Sequence, residues 1–141
     1  MDPVTALSLA SSILTFIEFA NKIITGTSEV YQSVSGATAE NAHIDIIVKD
    51  LNEITDDLST SLPGRTNNEK ALKDLASKCE LVSGRLQALL DGLKVSGDHT
   101  TWKSLKAKIK SMRKENEILS MEKQLGDYRA QILTRLTLML R

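Results

Sequence analysis

Cysteine is all but missing: Cys79 stands alone in 141 residues, so no disulfide can form within the chain. That excludes the cross-linked framework of small secreted domains and fits a reducing compartment. Proline is nearly as scarce, with Pro3 and Pro63 only, and few positions therefore forbid a helix. Aromatic residues make up 4%, which leaves Leu, Ile, Val and Ala to build the core. Net charge is zero, from 18 basic and 18 acidic residues, so bulk charge points to no nucleic-acid partner. His43 and His99 are solitary and sit in no metal-ligand spacing. No glycine-rich phosphate loop or nucleophile elbow is present. Asp56 and Asp57 are adjacent, so on a helix they point about 100° apart and cannot act as a facing pair. Catalysis needs polar groups gathered in a cleft, and no such constellation is visible. The expectation is a non-enzyme without cofactor, metal or small-molecule substrate.

What is present is helical periodicity. The length suits one domain over residues 1–141, and 41% of the residues are hydrophobic. Asp2-Pro3 opens a first helix over about residues 3–24. Val4, Leu7, Ala10, Ile13, Leu14, Ile17, Ala20 and Ile24 form one stripe, which Leu9, Phe16, Phe19 and Ile23 widen. A second helix, about 38–61, carries Ile44, Ile47, Val48, Leu51, Ile54, Leu58 and Leu62, and Pro63-Gly64 stops it. The third, about 68–93, repeats Leu72, Leu75, Cys79, Val82, Leu86, Leu89 and Leu93 in strict heptads. A short basic helix, about 101–113, presents Trp102, Leu105, Ile109 and Met112. The last, about 116–140, carries Ile118, Met121, Leu125, Tyr128, Ile132, Leu136 and Met139. No glycine or proline parts these two, so one continuous or kinked helix is an alternative. The pattern predicts an all-α fold: an up-and-down bundle of four long helices plus a short basic helix before the last.

Three features could carry function. Residues 4–17 hold no charge, yet the run is short for a membrane span and Glu18 and Lys22 follow it. It also lacks the basic start of a secretion signal, since Asp2 stands there. This helix reads either as the centre of the bundle or as a segment that leaves it for a bilayer. Glu18 reads as an exposed acid with Lys22 one turn on, or as a pore-lining acid in an assembly. Charge is also segregated: residues 35–64 hold six acids and one base, whereas 99–114 hold six bases and no acid. The bases are Lys103, Lys106, Lys108, Lys110, Arg113 and Lys114. They form either a solvated face or, with Trp102 at the headgroup boundary, a docking site for anionic lipid.

The opening Met1-Asp2-Pro3-Val4-Thr5-Ala6-Leu7-Ser8-Leu9-Ala10, then Phe16-Ile17-Glu18-Phe19-Ala20 and Tyr31, resemble fungal HeLo-like domains. Val48-Lys49-Asp50-Leu51, Cys79, Trp102-Lys103-Ser104-Leu105 and the run from Glu117-Ile118 to Leu125 fit the same pattern. Such domains stand at the N-terminus of STAND receptors with NACHT-type nucleotide-binding modules. The resemblance implies an effector domain of programmed cell death and heterokaryon incompatibility, in the manner of innate-immune signalling. It implies self-association, a nucleotide-binding receptor module in cis or trans, and a cytoplasmic chain recruited to anionic plasma membrane on activation. The membrane-inserting helix would present Val4, Leu7, Leu9, Ile13, Leu14, Phe16, Ile17, Phe19, Ile23 and Ile24, with Glu18 its embedded acid. The alternative is a protein–protein adaptor bundle that never touches lipid.

Overall fold

Polar residues in the first segment recur at Ser8, Ser11, Thr15, Glu18 and Lys22, in steps of three and four, so a helix must place them on one line. The computed structural model of the chain, which describes residues 3–25, 44–59, 64–93, 101–112 and 115–140, shows that line exposed. Helix α1 spans Pro3–Thr25. Opposite the line, ten apolar residues are buried: Ala6, Leu9, Ala10, Ile13, Phe16, Ile17, Phe19, Ala20, Ile23 and Ile24. Leu7 and Leu14, expected in the main stripe, flank the polar line instead and are half-buried. The chain folds as an all-helical bundle, and the other helices are α2 (Ile44–Asp56), α3 (Asn67–Leu93), α4 (Trp102–Ser111) and α5 (Asn116–Met139). Helix α1 is its axis: it packs on all four others, most extensively on α5 and then α3.

Helix α2 is shorter than the periodicity suggested. It ends at Asp56, where the Leu58 and Ser59 amides reach back only three residues, to Thr55 and Asp56. This tight turn folds Leu58 into the core, so the apolar spacing continued after the helix had stopped. The expected start at residues 38–43 and the stop at Pro63 lie outside the described residues. Two hydroxyls fasten α2 to α3: Thr55 Oγ1 lies 2.7 Å from Ser83 Oγ, which also accepts from Gln87 Nε2. Ser83 is fully buried, and these bonds satisfy it.

Helix α3 opens on a capping box. The Thr66 hydroxyl accepts from the Glu69 amide at 3.1 Å, and the Thr66 carbonyl accepts the first helical bond, from Lys70. The Glu69 carboxylate turns back to accept from the amides of Gly64 and Arg65 and from the Thr66 hydroxyl. Glu69 is 1% exposed, a buried acid whose carboxylate accepts from three donors. Gly64 adopts φ +69°, a left-handed conformation that only glycine takes without strain. Farther along, the core positions run Leu72, Leu75, Ala76, Cys79, Val82, Ser83, Leu86 and Leu90, while Leu89 and Leu93 are only half-buried. The heptad reading slips there because a straight helix drifts about 20° per heptad.

Helices α4 and α5 are separate, although neither glycine nor proline parts them. Met112 caps α4 with φ −99° and ψ 3°, and Glu115 is extended at ψ 146°. The phase of the pattern requires the break. Continued at helical spacing, the edge made by Trp102, Leu105, Ile109 and Met112 would carry Asn116, Ser120, Lys123 and Asp127 into the core. Starting afresh lets Ile118, Met121, Leu125 and Ile132 face inward. Helix α5 runs antiparallel to α3, pinned at both ends. Arg85 donates to Glu117 and Gln124 at one end, and Arg135 donates to Asn68 at the other.

Candidate functional site

The residues expected to enter a membrane are, in this structure, the inside of the bundle. Leu9, Ile13, Phe16, Ile17, Ile23 and Ile24 are at most 1% exposed, and Phe19 is 8% exposed. Leu7 and Leu14 are half-buried, and Val4 lies in α1 with its side chain outside the description. Helix α1 is also the one helix among the described residues long and apolar enough to cross a bilayer, over Thr5–Thr25. Half of that stretch is buried in the bundle.

Glu18 is the only acid on the exposed line of α1. It borders a groove of about 110 Å³ between α1 and α5, together with Asn21, Gly126 and Arg129. An acid and an arginine thus share one opening at the α1–α5 seam. A second groove, of about 310 Å³, lies between α3 and α5 and is lined by Ala71, Asp74, Leu75, Gln131, Thr134 and Arg135. Its charged groups are already engaged. Asp74 pairs with Lys78 at 2.9 Å, holding the Lys78 ammonium above its ordinary pKa, and Arg135 is bonded to Asn68.

In α4, Lys103, Lys106 and Lys110 stand three and four residues apart on one side, and Lys108 lies away from them. Lys103 and Lys110 are exposed, and Lys106 and Lys108 are half-buried. Lys108 donates its ammonium to the Leu93 carbonyl at 3.3 Å, which closes the C-terminal end of α3. Arg113 and Lys114 lie outside the described residues. Trp102 is fully buried, so in this state its ring is withdrawn from any headgroup boundary. The reason is its position: Thr101 caps α4 by accepting from the Ser104 amide, and the first turn then aims Trp102 along the edge shared with Leu105 and Ile109. Its Nε1 and the Asp50 Oδ2 atom are both buried with no hydrogen-bond partner among the described residues.

Cys79 occupies the core position expected of it, and burial pushes its thiol up to about 12. Such a thiol is a poor nucleophile at neutral pH. Among the described residues no group of three or more His, Cys, Asp or Glu could hold a metal ion. His43 and His99 lie outside them. The residue that sequence reading passed over is Glu69, although Thr66-Asn67-Asn68-Glu69 spells the capping-box pattern. No family model, curated protein or solved structure matches the chain.

Proposed function

We propose that the chain is a HeLo-like effector domain of fungal programmed cell death or heterokaryon incompatibility, a non-enzymatic up-and-down bundle that acts on membrane through α1 when copies assemble. One observation carries this reading: the helix with the length and apolarity to cross a bilayer is also the helix on which the other four pack. At rest the apolar residues are stored, and the single chain stays closed in the cytoplasm. Assembly, driven by a nucleotide-binding receptor module in cis or trans, would supply the energy to free α1. In a ring of such helices the line of Ser8, Ser11, Thr15, Glu18 and Lys22 would face water, while the buried face would meet lipid. Lys103 and Lys110 would favour anionic plasma membrane at about 1 kcal/mol each near the surface.

A second reading, an adaptor bundle that recruits partners and never meets lipid, is favoured by that same polar line. It runs the length of α1 and gives a soluble bundle a fully hydrated edge. Dye release from anionic liposomes separates the two, using the whole chain fused to an assembly domain. Release that needs the fused assembly domain supports the membrane reading. Absence of release from assembled, folded protein refutes it and leaves the adaptor. If Glu18→Ala releases dye as well as the parent does, Glu18 does not line the path.

A further inference from the structure

Helix α5 turns an odd face to solvent. Leu119 is 48% exposed and Leu133 is 37% exposed. Midway between them, seven residues from each, stands Gly126. These three share one line on the helix, since seven residues return to nearly the same angle. A glycine inside a helix costs up to about 1 kcal/mol relative to alanine. Nothing among the described residues requires this one, because a Cβ at Gly126 would meet no atom of another part of the fold within 4 Å. Gly84 in α3 is equally open, but a heptad to either side of it stand Ser77 and Asp91, which offer no apolar contact.

The charges beside the line are mirrored about the same point. Glu122 lies four residues before Gly126 and Arg129 three residues after it, on the same flank. At 1.5 Å per residue these offsets are about 6 Å and about 4.5 Å. In an antiparallel pair related by a two-fold axis through Gly126, each flank faces its own copy. Glu122 of one chain then lies beside Arg129 of the other, twice, and Leu119 lies opposite Leu133, twice. Lys123 falls on the far flank, opposite Ala130, so along α5 itself the pairing sets no like charges together. Arg129 is exposed and lines a groove together with Glu18 of its own chain. Glu122 is half-buried and has a contact within its own chain as well.

We propose that this face of α5 is a self-association surface, on which a second copy of the chain docks antiparallel with the two Gly126 backbones at the crossing. The proposal deepens the self-association in the proposed function, but its test involves no membrane, so the two can fail separately. One helix face offers less than the roughly 800 Å² per partner of a standard interface, so the free chain should pair only weakly. Tethering on a receptor, at effective concentrations of order millimolar, would make the contact persistent.

The test is sedimentation of the 141-residue chain from about 10 µM to about 1 mM, the range in which a weak pair forms. A reversible dimer is expected. Arg129→Glu should weaken it about tenfold or more, and adding Glu122→Arg should return the affinity to within about threefold of the parent. A second measurement does not depend on that swap. Under mild oxidation Gly126→Cys should give a disulfide-linked dimer, because two cysteines at the crossing can come within bonding reach, whereas Gly84→Cys should stay monomeric. The buried Cys79 takes no part in either variant. A chain monomeric at every concentration, a double variant no better than the single one, or equal cross-linking of the two cysteine variants would each overturn the proposal.

Discussion

Replacing Phe16 by alanine tests whether α1 is the axis of the bundle rather than a helix laid on its surface. Phe16 is fully buried in α1, the element on which every other helix packs. Its loss removes a ring from the middle of the contact network, and the four surrounding helices cannot all move in to fill the space. The expected cost is about 3–5 kcal/mol. Against a total stability of about 5–15 kcal/mol for a domain of this kind, that is a large share. At roughly 3–5 °C per kcal/mol for this chain length, the midpoint should fall by about 10–20 °C. Glu18→Ala, two residues farther on the exposed line, should stay within about 0.5 kcal/mol of the parent. Trp102 is the sole tryptophan and fully buried, so its fluorescence reports unfolding without a label. Urea titrations followed by that signal and by far-ultraviolet circular dichroism should coincide. If Phe16→Ala costs under about 1 kcal/mol with an unchanged urea slope, α1 is not the centre of the core and its storage there is wrong.

The glycines separate backbone from packing: Gly84→Ala should stabilise by about 0.5–1 kcal/mol, whereas Gly64→Ala, at φ +69°, should destabilise by about 1 kcal/mol or more, both read by urea titration. Glu69→Ala leaves the amides of Gly64 and Arg65 without their acceptor and should cost about 1–3 kcal/mol, with faster hydrogen exchange confined at first to the start of α3. Cys79 has its thiol raised from 9.0 to about 12 by burial. An unfolded chain therefore loses this proton at a lower pH than the folded one. The associated stability is whole below pH 9.0 and falls as pH rises from there toward about 12. Cys79→Ala should be less stable at neutral pH but lose less between those limits. An equal alkaline loss in both proteins would show that Cys79 does not contribute to it.

The helices were legible because their apolar residues keep helical spacing over long stretches. Leu72, Leu75, Cys79, Val82 and Leu86 could be placed in the core of α3 from spacing alone. The misreadings have physical causes. Leu89 fits a heptad, but a straight helix has rotated by then and buries Leu90 instead. Leu58 fits the stripe of α2, yet it reaches the core from a turn, which periodicity cannot distinguish from a helix. The separation of α4 from α5 leaves no glycine or proline signal. It lies in the phase difference between two apolar edges, which appears only when one edge is extended across the other. Trp102 among lysines suits a headgroup boundary as well as a core, and only the neighbouring elements decide in favour of the core. Ser8, Ser11 and Thr15, spaced three and four residues apart ahead of Glu18 and Lys22, mark the exposed strip of α1 in the sequence itself.

The position of α1 constrains how any release could work. Seven large apolar side chains, from Leu9 to Ile24, are buried on this helix, and at about 1.5–3 kcal/mol each their exposure to water would cost about 10–20 kcal/mol. That exceeds the stability of most domains, so α1 cannot detach into water while the remaining helices stay folded. Nor can α1 be cut away as a clean control, because the bundle left behind would lack its centre. Under the proposed mechanism the apolar face must pass from protein to lipid without an intervening hydrated state, since lipid returns most of what the core gives up. The groove lined by Glu18 and Arg129 is then a natural place for the α1–α5 seam to part first. A second chain docked on α5 would set its Glu122 beside that arginine and so bring a second acid to the groove that Glu18 lines. Assembly on α5 would in this way loosen the seam that holds α1. If so, Glu122→Gln should leave folding nearly unchanged while lowering dye release by the assembled chain. Undiminished release from a folded Glu122→Gln protein would uncouple the α5 surface from α1.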